Sequence, residues 1–251
     1  LEPTLSALAD QLRELEELLT PLTVVDWSRP TRCEGWDVAD VVLHLAQTNE
    51  LAIASAEHRF SGFVGSLPEL PDAPVSIDGA ADQRVAVERG VPPDELFARW
   101  RASASGLVAA LGAIDPHERV TWVAGTLSAR TLATTRIAET WIHTGDVAGA
   151  LGIVLPDTER LREIARLAWR TLPYAFELAG VELHGPVAFD LRGPADQRWH
   201  FQPDEPALTT VRGLASELCA VAARRIAPDG TKLHGEGPDL REVLALIRTY
   251  A

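Results

Sequence analysis

Leu5, Leu8, Leu12, Leu15, Leu18 and Leu19 recur at intervals of three and four. That spacing draws one apolar stripe along a helix, which Pro21 closes. A turn-rich stretch, DWSRPTRCEGW, follows. The next periodic segment, residues 37–60, opens with Asp37 as a helix N-cap and Asp40 three residues on, in the place of a capping-box acid. Trp36 and Val41 then occupy the two positions of a hydrophobic staple, which fixes the phase of His44 within this helix. Residues 61–83 are rich in Gly, Pro and Asp and predict a long connection, a flap over a cleft. A third helix is predicted over 92–114, opened by two prolines. Residues 115–129 predict a loop holding a short extended piece, and a fourth helix is predicted over 128–152, ended by Gly152 and then Pro156. Four amphipathic helices and one long connection predict an up-and-down bundle over 1–155.

The pattern changes after residue 155. One more helical stretch, 157–180, gives way to short alternating runs at 187–193, 198–202 and 208–213, bounded by Gly, Pro and Asp as strands are. A helix over 213–226, a strand-like run at 231–237 and a last helix over 239–250 complete the chain. The fold class is therefore α+β: a four-helix bundle over 1–155 and a smaller mixed α/β domain over 156–251.

Composition narrows the function. The net charge of −13 and a pI near 5.0 oppose binding to phosphate backbones, so no nucleic-acid partner is expected. No run of about 18 apolar residues predicts a membrane span, and the start LEPTLSALADQLREL lacks the basic and apolar regions of a signal peptide. A cytoplasmic location is expected, as a monomer or homodimer. The two cysteines, Cys33 and Cys219, are too few for a Cys-rich zinc module, and a disulfide between them is not expected in a reducing compartment. Cys33 lies just before a helix start, a place that lowers a thiol pKa; a small buried or loop cysteine is the simpler reading.

The candidate chemistry lies in ETWIHTGD, residues 139–146. Arg136, Glu139, His143 and Asp146 share one helix face, with Trp141 opposite. A surface helix has this pattern, its polar stripe in water and Trp141 in the core. Against that, Leu132, Ile137, Ala138, Ile142 and Val147 make the helix apolar on more than one side, and a buried Glu or His needs a partner or a metal. Glu139 and His143 at i, i+4 form a two-point clamp for zinc. His44, mid-helix between apolar residues, is the candidate third ligand; His58, His117, His184, His200 and His234 have less suitable settings.

TRCEGWDVADVVLHLAQTNE, followed by RIAETWIHTGDVAGALG, resembles the DinB-like, mycothiol-dependent maleylpyruvate isomerase family of actinobacteria. TVRGLASELCAVAARR and LHGEGPDLREVLALI resemble that family's second domain, so the similarity covers nearly the whole chain. WRTLPYAFELAG resembles a large actinobacterial branch distinct from the isomerase itself. The resemblance implies a bundle holding a divalent metal, usually zinc, on His44, Glu139 and His143, with mycothiol as co-substrate. Asp146 would orient His143 or touch bound water. Arg136 would pair with Glu139, bind an anionic ligand or be a plain surface charge. Arg224 and its neighbour Arg225 are candidates for a substrate carboxylate or the sugar-linked thiol. The sequence places no thiol of its own at this site, which fits an external one. The expected activity is isomerisation or thiol transfer on a small electrophile. A thiol-independent hydrolase, a cyclase or isomerase using the metal as Lewis acid, and a non-catalytic protein with a structural metal remain open. Nickel, iron and cobalt suit the same donors.

Overall fold

A computed structural model describes residues 3–73, 76–123 and 125–249. The chain divides into two compact units, Leu1–Leu155 and Pro156–Ala251. Among the described residues no helix is long and apolar enough to cross a membrane.

The first unit is built on four long helices: α1 (Pro3–Leu19), α3 (Val38–Ala56), α6 (Pro93–Gly112) and α7 (Ala129–Leu151). α1 and α3 each pack against α6 and against α7. The leucine stripe of α1 is buried throughout, as its spacing predicts. α3 starts at the expected cap: the Asp37 carboxylate accepts from Asp40 N at 2.9 Å, and the Asp40 carboxylate accepts from Asp37 N at 3.2 Å. Such reciprocal caps satisfy backbone donors that the first turn leaves unpaired and stabilise a helix by about 1 kcal/mol. A short helix not expected from the sequence, α2 (Val24–Trp27), precedes it.

The expected long connection is mostly helical instead. α4 (Phe60–Ser66) and α5 (Ile77–Glu88) occupy much of it, while residues 74 and 75 lie outside the described residues. α5 has one buried residue, Val85, and no apolar stripe to betray it. Distant polar contacts hold it down. Gln47 donates to Arg84 O and to Glu88, Arg99 joins Glu88 to Glu50, and Arg89 forks onto Asp40 with two bonds of 2.9 Å. The extended piece before α7 is an antiparallel hairpin of β1 (Arg119–Trp122) and β2 (Gly125–Ser128). Ser128 then caps α7 by accepting from Thr131 N at 3.1 Å, and Gly152, in the left-handed region at φ 71°, ends it.

The second unit holds a four-stranded mixed sheet in the order β4-β3-β5-β6. β3 (Val187–Arg192) pairs antiparallel with β4 (Arg198–Phe201) and parallel with β5 (Thr209–Leu214), which pairs antiparallel with β6 (His234–Glu236). Gly235 is required in β6, because a side chain there would run into the Thr210 carbonyl. Among the described residues its helices are α8 (Leu161–Arg170), α9 (Leu172–Ala179), α10 (Ala215–Ala222) and α11 (Leu240–Leu246), with a 3-10 turn at Pro228–Gly230. The helical stretch predicted over 157–180 is thus broken at Thr171, whose hydroxyl bonds Leu167 O and also Arg248 O from the chain end. Pro173 then opens α9. α11 stops at Leu246, short of the predicted 250, and residue 250 lies outside the described residues.

Candidate metal centre

His44 lies on the second turn of α3; Glu139, His143 and Asp146 lie on one face of α7, and the two helices pack together. The staple-phased start of α3 and the i, i+4 spacing on α7 aim these side chains at one another. His44 Nε2 is 2.6 Å from Glu139 Oε1, and His143 Nε2 is 3.7 Å from the same oxygen. The two imidazole rings meet edge to face at 5.1 Å between centroids. Trp36 lies against both, its ring 5.1 Å from His44 and 6.4 Å from His143. All three side chains are buried: His44 is 8% exposed, Glu139 3% and His143 6%. The surface-helix reading of ETWIHTGD therefore fails. The polar stripe is the buried side, and Trp141 is only half-buried.

His143 Nδ1 is 3.0 Å from Asp146 Oδ2. In the neutral ring, with Nδ1–H donating to that carboxylate, Nε2 carries the lone pair and faces Glu139. Cys33 Sγ donates to the same Asp146 oxygen at 3.3 Å. The expectation that the chain places no thiol of its own here is therefore wrong. Cys33, His143 and Asp146 form a second group of close potential ligands that shares His143 with the first. Cys33 lies in the loop ahead of the α3 cap, and folding back over α7 is a tertiary event that local pattern does not show. Trp36 was legible as a staple residue but not as the wall of a site.

The charges are strongly coupled. Burial would raise the Glu139 carboxyl, but the His44 hydrogen bond and the positive charge of Arg136 outweigh it and hold the group down at about 2. Burial works against a charged His143. Its hydrogen bonds to Asp146 and Cys33 and the charge of Glu139 overcome that and raise it to about 9. Burial lowers His44, with Glu139 pulling the other way.

The donors fit a divalent cation. His44, Glu139 and His143 each offer one ligand atom, all within 4.8 Å of one another and all buried. A tetrahedral zinc with bonds of about 2.0–2.2 Å needs donors about 3.3 Å apart, a separation that the 2.6 and 3.7 Å contacts bracket. Glu139 Oε2 is buried without a hydrogen-bond partner among the described residues, an electron pair left unmatched.

The other candidates have partners of their own. Arg224, at φ 58° just past α10, donates to Ala245 O at 2.8 Å and Leu246 O at 3.4 Å, closing the end of α11. Arg225 donates to Ala223 O. His58 meets Glu118, His184 meets Asp239, His200 meets Asp190, and His234 meets the Lys232 carbonyl.

A helical bundle enclosing a His–Glu–His cluster, joined to a small mixed-sheet unit, defines a candidate metalloprotein of bundle type. Residues 8–148 match the family described as the Mycothiol maleylpyruvate isomerase N-terminal domain, and the chain belongs to that family. An uncharacterised protein of Mycobacterium tuberculosis, found in two strains, is 31% identical over 99% of this chain and 95% of its own length. Among solved structures, a crystal structure of the mycothiol-dependent maleylpyruvate isomerase superposes with a TM-score of 0.62 at 18% identity, and a histidine-to-alanine mutant of it with 0.61 at 21%. Each covers 95% of both chains. The fold of both units is therefore that of the isomerase.

Proposed function

We propose that the chain is a metal-dependent enzyme that activates a low-molecular-weight thiol and applies it to a small electrophilic substrate, by isomerisation or thiol transfer. The observation that carries this reading is the convergence of His44, Glu139 and His143 on one buried point. Three protein donors are the number found in zinc sites that keep a position for an exogenous ligand. His44 Nε2, the Glu139 carboxylate and His143 Nε2 would hold the ion, and zinc suits the donor set. When bound, such an ion supplies the Lewis acidity that lowers the pKa of a thiol. Kinship with a family named for mycothiol supports mycothiol as that thiol.

The chain's own side chains define the surroundings. Asp146 holds the Nδ1 proton of His143 and so keeps Nε2 a lone-pair donor. Trp36 covers both imidazoles and limits water at the rings. A thiol that adds to an electrophilic carbon and leaves after bond rotation isomerises the substrate; one that stays is transferred.

Cys33 favours a second reading. Its thiol lies close to His143 and Asp146 but is not grouped with His44 and Glu139, so it would have to move to become a fourth protein donor; a site closed by four protein donors is structural. Cobalt-loaded protein separates the two. On the enzymatic reading, the near-ultraviolet thiolate-to-cobalt band is absent until mycothiol is added, and Cys33→Ser behaves as the wild type. A band present without added thiol and lost in Cys33→Ser would establish the closed, structural site instead.

A further inference from the structure

Arg136 sits on α7 three residues before Glu139 and is only 3% exposed. Its guanidinium carbon lies 5.0 Å from the centre of the Trp122 ring, at the end of β1. Nη2 is 3.8 Å from Glu139 Oε2, a charge contact too long for a hydrogen bond. Nε and Nη1 are buried without a hydrogen-bond partner among the described residues. Burial lowers its hold on the proton and Glu139 works against that, yet a guanidinium stays charged at neutral pH.

This is a poor arrangement for stability. A buried charge needs good pairing and satisfied donors to offset its desolvation, and an apolar side chain of the same length would stack on Trp122 without that cost. What Arg136 does supply is a permanent positive charge beside the candidate ligands. A bound cation displaces the ring proton that His143 otherwise holds; with both imidazoles then neutral and the Cys33 thiol protonated, Glu139 and Asp146 give two negative charges here and Arg136 one positive. A divalent cation then leaves the centre at a net charge of plus one. Without Arg136 the same centre is neutral. In a buried, low-dielectric setting that difference acts strongly on whatever ligand enters.

We propose that Arg136 is the residue that makes this centre selective for anionic exogenous ligands, such as a thiolate or a small carboxylate, over neutral ones. The inference rests on the metal-centre reading above and assigns a role to a residue outside its ligand set.

The test uses the full chain loaded with cobalt, with metal content measured first. Azide, an anion, and imidazole, a neutral ligand, are then titrated and followed by visible absorbance. Arg136→Met, which keeps the stacking on Trp122, is expected to bind azide about tenfold more weakly, a loss of about 1.4 kcal/mol. Its imidazole affinity is expected to be unchanged. Arg136→Lys, which keeps the charge, is expected to retain azide binding. Arg136→Gln is the second neutral variant should Arg136→Met not fold. Unchanged azide affinity in a neutral variant, or an equal fall for azide and imidazole, overturns the role of Arg136 while leaving the metal centre standing. A wild-type chain that takes up no cobalt overturns both.

Discussion

Asp146 carries more than its place on the helix suggests. One of its oxygens is shared by a ring N–H of His143 and the thiol of Cys33, and the residue is 2% exposed. A carboxylate that fixes the tautomer of a ligating histidine also raises its basicity, and its removal typically weakens metal binding by 10- to 100-fold. Asp146→Asn keeps the shape and loses the charge. Chelator competition is expected to show zinc affinity falling by about that factor, with helix content by circular dichroism unchanged. Equal zinc affinity in the two proteins would remove Asp146 from the site. At this scale the sequence was informative about which residues matter on α7, because i, i+4 spacing is a local rule. It did not bring Cys33 to this site or show the burial of Arg136, since both depend on what packs over the helix.

At the scale of elements, the four long helices were legible because each carries its own signal: a leucine stripe in α1, a capping box in α3, prolines opening α6 and a closing glycine in α7. α5 was not, since its order comes from Gln47 and Arg99 reaching it across the bundle and from Arg89, at its own end, reaching Asp40. The break between α8 and α9 has the same character, being fixed partly by a bond from Thr171 to Arg248 O. The second unit offers an element-scale contact that can be tested by pH. Asp239, the N-cap of α11, accepts from the ring Nδ1 of His184 at 2.6 Å, tying the loop before β3 to that helix. The hydrogen bond and charge of Asp239 raise the pKa of His184. A raised histidine stabilises the fold fully below its unfolded value of about 6.5, and that contribution is lost as pH rises through the higher folded value. NMR titration of the His184 ring is expected to give a pKa above that of a free histidine, returning toward it in Asp239→Asn. The stability difference between wild type and His184→Asn is expected to be largest in acid and to vanish in alkali. A free-histidine pKa in the wild type would show that the contact does not form in solution.

For the whole molecule, the order of elements was enough to separate a helical unit from a mixed-sheet unit, because the apolar period switches from helix-like to strand-like along the chain. What order alone could not give was the pairing, with β3 at once antiparallel to β4 and parallel to β5. The central claim about the molecule is that residues 95 apart on α3 and α7 fold into one metal centre. It is tested most directly by metal content after loading with zinc and removal of the excess. The account predicts about one zinc per wild-type chain, held by three protein donors, and loss of that zinc in both His44→Ala and His143→Ala while helix content is kept. A wild-type chain that holds no zinc, or variants that both retain it in full, would contradict it.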